Sequence, residues 1–471
     1  MSSLPLVFAL LALAGPPPAG GAAVVAAPEA GTTLPHVVCS GDAARSYALF
    51  LPSAYHPSRR WPLVVLMDPR GRALVPLELF RPAADRLGYI LISSYDTASD
   101  GAWEPNEKAL LAMLPDVQQR ASVDPRRVHL AGFSGTARAA WDFAARLKEG
   151  VAGVIGFGAG FPSPVHPIPG RAAPFFGGAG DEDFNHEEVV AMEAPLRSAA
   201  IPHRLAFFPG AHAWPPEPVC SEALEWMELR AMKAGLRDRD DTLTRELLAR
   251  RLAAARRLEQ QGRHREALRE HRAIVADFDG VLPVDEPAAR AEALAADRGV
   301  RKEQARITRL AGEQKRFERL LGSFLARFHA AIPPPTVEQT LSGLGIAGLK
   351  ATIAGESSDR FAAQAARRRM SLLLVHLSFY EPRSCLERGD AARAAAFLQA
   401  ADAIRPADPG THYMLARARA QLGQTRDALA SLAVAAASGL LDRARVEADP
   451  LLTPLREDPG YRKILDDLDR P

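Results

Sequence analysis

Cysteine is scarce in this chain, which has only Cys39, Cys220 and Cys385 among its 471 residues. They form no CxxC motif and no zinc-type spacing with histidine, so we expect no structural metal site. Acidic and basic residues nearly cancel, leaving a formal net charge of +2. This balance gives no electrostatic ground for a nucleic-acid partner or an anionic membrane. The length allows about two to three domains of roughly 150 residues.

A long apolar run is also missing at the N-terminus, where LPLVFALLALAG covers only residues 4–15. A run of this length is too short for a stable membrane span. Three prolines and a tract of small residues follow it, a pattern typical of a secretory signal with its cleavage region. We therefore expect residues 1–28 to be a bacterial-type signal peptide and the protein to be exported, either to the periplasm or by secretion. Export would allow a disulfide between Cys39 and Cys220.

Two regions with different sequence patterns follow. Between residues 34 and 235, short apolar runs such as PLVVLM, RVHLAG and RLAFFP alternate with helical stretches. This alternation predicts an α/β domain with a mostly parallel sheet covered by helices on both faces. Strand patterns then stop, and residues 242–471 are rich in Ala, Leu, Arg and Glu with helical periodicity. We therefore predict a second, all-α domain over residues 242–471.

The helical half contains a repeat with an offset of 34 residues, the period of tetratricopeptide repeats. Small residues at the repeated positions let two antiparallel helices pack closely. The matching residues are Gly389, Ala394, Leu398 and Ala401 in one copy and Gly423, Ala428, Leu432 and Ala435 in the next. This half resembles a short, divergent tetratricopeptide array, clearest over residues 378–440, and the resemblance implies a protein partner. A generic helical bundle is the alternative.

One serine stands between a predicted strand and a predicted helix in HLAGFSGTARAAW, which begins at His129. Gly132 precedes this residue, Ser134, by two positions, and Thr136 stands where the usual G-x-S-x-G pattern has its second glycine. A sharp turn of this kind projects the serine side chain clear of both elements. Gly135 follows at the predicted helix N-terminus, where its N–H favours a developing oxyanion. We therefore predict Ser134 as a nucleophile and Gly135 as an oxyanion donor.

A serine nucleophile needs a base, and the base needs an orienting carboxylate. His212 follows the last predicted strand in RLAFFPGAHAW, whereas His203 precedes that strand and belongs to the other end of the sheet. Asp181 follows the preceding strand in APFFGGAGDEDFN, and Asp183 is the alternative. Because loops at the carboxyl ends of parallel strands meet at one edge, we expect Ser134, Asp181 and His212 to converge there.

Three motifs together resemble those of α/β-hydrolases: GFSG around Ser134, Gly178-x-x-Asp181 and Gly210-x-His212-x-Trp214. Residues 34–235 are similar to small esterases related to dienelactone hydrolase, polyhydroxyalkanoate depolymerase and feruloyl esterase. The resemblance implies hydrolysis of a small-molecule ester through an acyl-serine intermediate. It implies neither a metal nor an organic cofactor.

The loop after PLVVLM supplies the second oxyanion donor in the resembled family, where it often reads His-Gly-x. Here the loop reads DPRG from Asp68. Proline has no N–H to donate, so Arg70 best matches the donor position and Gly71 is the reserve. Trp103 and Trp214 are candidate walls of the substrate pocket, and packing in the core is the alternative for both.

Two hypotheses about function follow from the sequence. The leading one is an exported serine esterase with a C-terminal helical repeat module. The second is a weakly active or inactive hydrolase-fold scaffold whose helical region binds a protein partner, and the DPRG loop and Thr136 favour it. Covalent labelling by a fluorophosphonate probe separates the two.

Overall fold

A computed structural model describes most of the chain beyond residue 28. The described residues are 29–99, 103–147, 150–162, 173–356, 358–438, 441 and 443–468. The predicted signal peptide therefore lies outside the described residues, and so do residues 439 and 440 at the end of the predicted repeat region. The chain divides into two compact units, Met1–Ala305 and Arg306–Pro471.

In the described part of the first unit, eight strands form one sheet in the order β1-β2-β4-β3-β5-β6-β7-β8. The strands β3 to β8 run parallel to one another, while β2 pairs antiparallel with both β1 and β4. Their bounds are β1 Thr33–Cys39, β2 Asp42–Phe50, β3 Trp61–Met67, β4 Ile90–Ser94, β5 Val123–Phe133, β6 Gly153–Phe157, β7 Phe175–Gly180 and β8 His203–Phe208. The predicted, mostly parallel sheet is confirmed.

Helices cover both faces of this sheet because alternate side chains of each strand point to opposite sides. On β3, Leu63 and Val65 join one buried apolar cluster, whereas Val64 and Leu66 join the other. Helices α2 and α3 pack into the first cluster, and α1 and α6 into the second. The helices of this region are α1 Leu74–Leu87, α2 Glu104–Arg120, α3 Gly135–Leu147, α4 His186–Ala191, α5 Glu193–Ser198 and α6 Glu217–Lys233.

The cysteines considered for a disulfide lie in different clusters. Cys39 belongs to the cluster beneath α2 and α3, and Cys220 to the cluster beneath α1 and α6. Both are free and buried. The disulfide that export would allow between Cys39 and Cys220 is therefore not formed in this structure, because the sheet separates the two thiols.

Three helices that follow the sheet also belong to the first unit: α7 Asp241–Gln260, α8 His264–Phe278 and α9 Asp285–Ala296. Buried polar contacts attach α8 to the sheet region. The indole N–H of Trp226 donates to Asp277 over 2.7 Å, and the Arg204 guanidinium donates to Glu270 over 3.0 Å. The last described strand, β8, ends at Phe208, and the structure divides the predicted helical domain of residues 242–471 at Ala305.

The second unit is helical. Its helices are the C-terminal part of α10 Arg298–Ala330, then α11 Val337–Gly343, α12 Ile346–Ala354, α13 Arg360–Val375, a π-helical turn His376–Tyr380, α14 Glu381–Glu387, α15 Ala391–Ile404, α16 Pro409–Gln421, α17 Thr425–Ala436, α18 Arg443–Ala448, a 3-10 turn Pro450–Leu455 and α19 Pro459–Leu468. None of the described helices is both long enough and apolar enough to cross a membrane.

The repeat read from the sequence corresponds to two helix pairs with the same turn. Gly389 separates α14 from α15, Gly423 separates α16 from α17, and both adopt a positive φ, 78° and 71°. In each turn the residue after the glycine donates its N–H to a carbonyl five residues back, which is the Schellman pattern that glycine favours. The repeated Ala and Leu side chains on α15 and α17 are buried. The assignment to tetratricopeptide repeats stays a prediction.

Candidate active site

The turn from β5 to α3 holds Ser134 in an unusual backbone conformation. Its φ is +55°, in the left-handed region that residues other than glycine rarely adopt. The strain is offset by a hydrogen bond from the Ser134 N–H to the carbonyl of Phe157 over 2.8 Å. A strained residue that its surroundings hold in place is typical of functional sites. The sharp strand-to-helix turn predicted from the sequence is confirmed.

Two neighbours of Ser134 explain how the turn closes. A Cβ on Gly132 would overlap the backbone carbonyl of Thr136, so only glycine fits there. The buried Thr136 hydroxyl accepts the N–H of Phe133 over 3.1 Å and lies 2.5 Å from the carbonyl oxygen of Met67. The sequence shows Thr136 only as a departure from the usual glycine, whereas in the structure its hydroxyl links the turn to the end of β3.

His212 lies in the loop after β8 and reaches Ser134 across the sheet edge. Its Nε2 is 3.0 Å from the Ser134 Oγ. The imidazole packs between two aromatic rings, with centroids 4.6 Å from Phe133 and 4.2 Å from Phe184. This packing limits the ring to few orientations. His203 stands at the first position of β8, at the opposite end of the strand, as the sequence predicts.

The carboxylate against His212 belongs to Asp183. Its Oδ1 and Oδ2 lie 2.9 and 3.0 Å from the Nδ1 of His212, and its side chain is fully buried. Asp181 instead accepts the backbone N–H of Gly210 at the start of the histidine loop, over 3.0 Å. The prediction of Asp181 is therefore corrected to Asp183, the alternative considered from the sequence.

The end of β7 explains this correction. The strand continues to Gly180, and a turn follows in which the N–H of Asp183 donates to the Gly180 carbonyl. Gly180 and Asp183 repeat the same Gly-x-x-Asp spacing that selected Asp181 from Gly178. Counting from the true end of the strand would have identified Asp183.

The two predicted oxyanion donors have different surroundings. Gly135 is the first residue of α3, where a backbone N–H has no partner within its own helix. The N–H of Arg70 instead donates to the Asp68 carboxylate over 2.8 Å. The reserve donor, Gly71, directs its N–H to the Asp68 carbonyl over 3.2 Å. The prediction of Arg70 as a donor aimed at the oxyanion is therefore wrong in this structure, because a carboxylate of its own loop takes that N–H.

Asp68 is a buried carboxylate with many donors. Its Oδ1 accepts the backbone N–H groups of Arg70 and Arg72, and its Oδ2 accepts the indole N–H of Trp214 over 2.8 Å. The Arg72 guanidinium donates to both oxygens. Burial alone would raise the pKa of Asp68, but these hydrogen bonds outweigh it and hold the pKa below its ordinary value.

The two predicted pocket walls lie in apolar packing. Trp214 is buried, with its ring edge-to-face against Phe80 at 6.3 Å and tilted against Phe133 at 5.6 Å. It packs as a core residue, the alternative that the sequence leaves open for both tryptophans. Trp103 is half-buried and packs edge-to-face on Phe143 at 6.4 Å. Its role as a pocket wall stays a prediction.

A family model matches part of the first unit. Residues 93–217, which include Ser134, Asp183 and His212, match the model of the dienelactone hydrolase family. The first unit contains an α/β-hydrolase domain. The family match supports a hydrolase of esterase type for this domain. A search of curated proteins found no match.

Three solved structures that resemble the hydrolase domain are covered over nearly their full length. A ferulic acid esterase is 18% identical, with 41% of this chain and 93% of that chain covered and a TM-score of 0.34. S-formylglutathione hydrolase (FrmB) from Staphylococcus aureus is 12% identical, with 43% and 99% covered and a TM-score of 0.34. Est1E from Butyrivibrio proteoclasticus is 15% identical, with 41% and 97% covered and the same TM-score.

The described residues of both units contain His, Cys, Asp and Glu side chains, which are the usual protein ligands of metal ions. Among them, no group of three or more His, Cys, Asp or Glu side chains is arranged to hold a metal ion. The groups gathered at the edge of the hydrolase domain are instead a hydroxyl, an imidazole and two buried carboxylates. Such a set is suited to proton transfer and nucleophilic attack.

Proposed function

We propose that the hydrolase domain is a serine esterase that acts through Ser134, His212 and Asp183. The Ser134 oxygen attacks the ester carbonyl carbon while His212 Nε2 takes the serine proton. The tetrahedral intermediate then collapses, and the leaving alcohol receives that proton from His212. Water attacks the resulting acyl-serine with His212 again as the base, which releases the acid and restores the serine.

The observation that carries this proposal is the unbroken chain of contacts from Ser134 Oγ to His212 to the buried Asp183 carboxylate. Asp183 fixes the imidazole with Nδ1 protonated and Nε2 free to accept, and it stabilises the imidazolium formed during attack. The Gly135 N–H supports the oxyanion at the start of α3. Removing one such donor typically costs about 2.7–4 kcal/mol of transition-state stabilisation.

The test combines covalent labelling with turnover. We expect a fluorophosphonate probe to label the protein at one serine and p-nitrophenyl acetate to be hydrolysed. Ser134→Ala abolishes both, because the nucleophile is lost. Ser93→Ala, at a buried serine of β4, is the matched control and retains both. A folded protein that is not labelled, or labelling that survives in Ser134→Ala, contradicts the proposal.

The substrate proposed is a small or solvent-accessible ester. The segments from Ser134 to Asp183 and from Asp183 to His212 are short, and this favours a site without a large inserted lid. Hydrolysis of p-nitrophenyl esters is expected to fall steeply as the acyl chain lengthens. The N-terminal segment supports export as part of the same proposal, and transfer of a fused reporter to the periplasm tests it.

A second candidate function is a feeble or idle scaffold whose helical region binds a protein partner. The observation that favours it is the Arg70 N–H, which is held by Asp68. The same labelling experiment separates the candidates, since a scaffold gives no Ser134-dependent labelling.

A further inference from the structure

Asp68 joins two loops at the edge of the hydrolase domain. One is the loop from Asp68 to Arg72 after β3, called here the DPRGR loop. The other follows β8 and carries both His212 and Trp214. The Asp68 carboxylate accepts the indole N–H of Trp214 over 2.8 Å and the N–H of Arg70 over the same distance. One buried group therefore sets the position of a residue two places from His212 and the shape of the neighbouring loop.

The N–H groups of the DPRGR loop converge on Asp68. Those of Arg70 and Arg72 donate to its Oδ1, and that of Gly71 donates to its backbone carbonyl. Consecutive N–H groups that point inward form a concavity that binds anions. In this protein, the anion in the concavity is the carboxylate of Asp68, which belongs to the loop itself.

The donors explain why a carboxylate is needed here. A carboxylate has about four lone-pair sites over two oxygens, whereas an asparagine side chain offers one accepting oxygen and adds two N–H donors. Asparagine at position 68 would therefore leave some of these donors without an acceptor, and a buried N–H without an acceptor is costly. The Arg72 guanidinium adds two further donors to the same carboxylate, although the Arg72 side chain itself is partly exposed.

We propose that Asp68 is a positioning residue for ester hydrolysis, which ties the DPRGR loop to the histidine loop through Trp214. The proposal rests on the proposed function. In this proposal, the Asp68 carboxylate orders both loops. The backbone N–H of Gly135, next to Ser134, remains the oxyanion donor.

The experiment measures turnover per active site in Asp68→Asn, in Trp214→Phe and in the double variant. Active sites are counted by fluorophosphonate labelling, so loss of folded protein does not register as loss of kcat. We expect kcat per labelled site to fall about 10- to 100-fold in each single variant, because small displacements of reacting groups are costly. KM stays within about twofold. The double variant falls no further than Asp68→Asn, because both substitutions break the same link.

A matched control comes from the same domain. Trp226 on α6 donates its indole N–H to the buried Asp277 on α8 over 2.7 Å, the same kind of bond but with neither partner in the DPRGR loop or the histidine loop. Trp226→Phe is expected to lower the melting temperature and to keep kcat per labelled site. If Asp68→Asn does not fold, Trp214→Phe against Trp226→Phe still decides the question.

Each remaining outcome has a definite meaning. Unchanged kcat in both Asp68→Asn and Trp214→Phe overturns the inference while Ser134-dependent activity leaves the proposed function intact. A rise of kcat in Asp68→Asn also overturns it, since the freed Arg70 N–H would then serve the oxyanion better than the carboxylate serves the loops. Absence of labelling in the unaltered protein overturns the proposed function and this inference with it.

Discussion

Asp183 and Asp68 are both buried at the same edge of the sheet, but they face different kinds of donor. Asp183 lies against the imidazole of His212, a group that gains and loses a proton in the proposed reaction. Every donor to Asp68 is a backbone, indole or guanidinium N–H that keeps its proton. The partner, and not burial, therefore decides whether a carboxylate assists proton transfer or holds loops in place.

The largest loss of kcat is expected when Asp183 is changed. Asp183→Asn removes the charge that stabilises the imidazolium and favours the wrong imidazole tautomer, so kcat should fall about 10³- to 10⁴-fold. Asp181→Asn is the matched control, because Asp181 accepts the N–H of Gly210 at the start of the histidine loop whereas Asp183 lies against the imidazole, and a change of a few-fold is expected. Steady-state hydrolysis of p-nitrophenyl acetate measures both. Equal losses, or a larger loss at Asp181, would restore the sequence prediction.

An intermediate effect is expected at Thr136, which joins the serine turn to the end of β3, directly before Asp68. Thr136→Val keeps the shape but leaves the buried N–H of Phe133 without its acceptor, a loss of about 1–3 kcal/mol of unfolding free energy. Chemical denaturation measures this loss, and kcat should fall as the turn loosens. Thr352→Val is the control, since its hydroxyl bonds the Gly348 carbonyl on an exposed helix face. Equal stability losses at both positions would contradict the role given to Thr136.

The serine and the histidine were readable from the sequence because their positions depend on chain order. Ser134 follows a strand directly, and His212 follows the last strand, so parallel pairing alone brings them to one edge. The mostly parallel sheet was also predictable, because apolar runs alternate with helical stretches along the chain. Local pattern and topology point to the same arrangement here.

The sequence predictions fail where a carboxylate or an N–H group has several possible partners nearby. Asp181 and Asp183 differ by the path of one turn after Gly180, and the spacing rule fits both. The direction of the Arg70 N–H depends on an acceptor within its own loop. The bond from Trp214 to Asp68 could not be predicted from the sequence, because the two residues are 146 positions apart along the chain. The partner of each of these groups is set by tertiary contacts, which the periodicity of the sequence does not reveal.

A third buried carboxylate, Asp116 on α2, can be compared with these two because it stabilises the fold and has no role in the proposed reaction. It accepts hydrogen bonds from Tyr47, Ser40 and Arg120. Burial alone would raise its pKa, but these bonds outweigh it and lower the pKa to about 2. Because the folded pKa is below the ordinary value of about 3.9, the stabilisation is present above pH 4 and is lost as the pH falls toward 2.

Asp116→Asn is therefore expected to destabilise the protein at neutral pH by on the order of 1 kcal/mol and to keep kcat per labelled site. The gap between the variant and the unaltered protein should shrink between about pH 4 and pH 2, where the native carboxylate becomes protonated. Denaturant unfolding across this range measures it. A gap of constant size would show that Asp116 stabilises the fold through packing and not through its charge, and a drop in kcat would remove the distinction drawn between this carboxylate and Asp68.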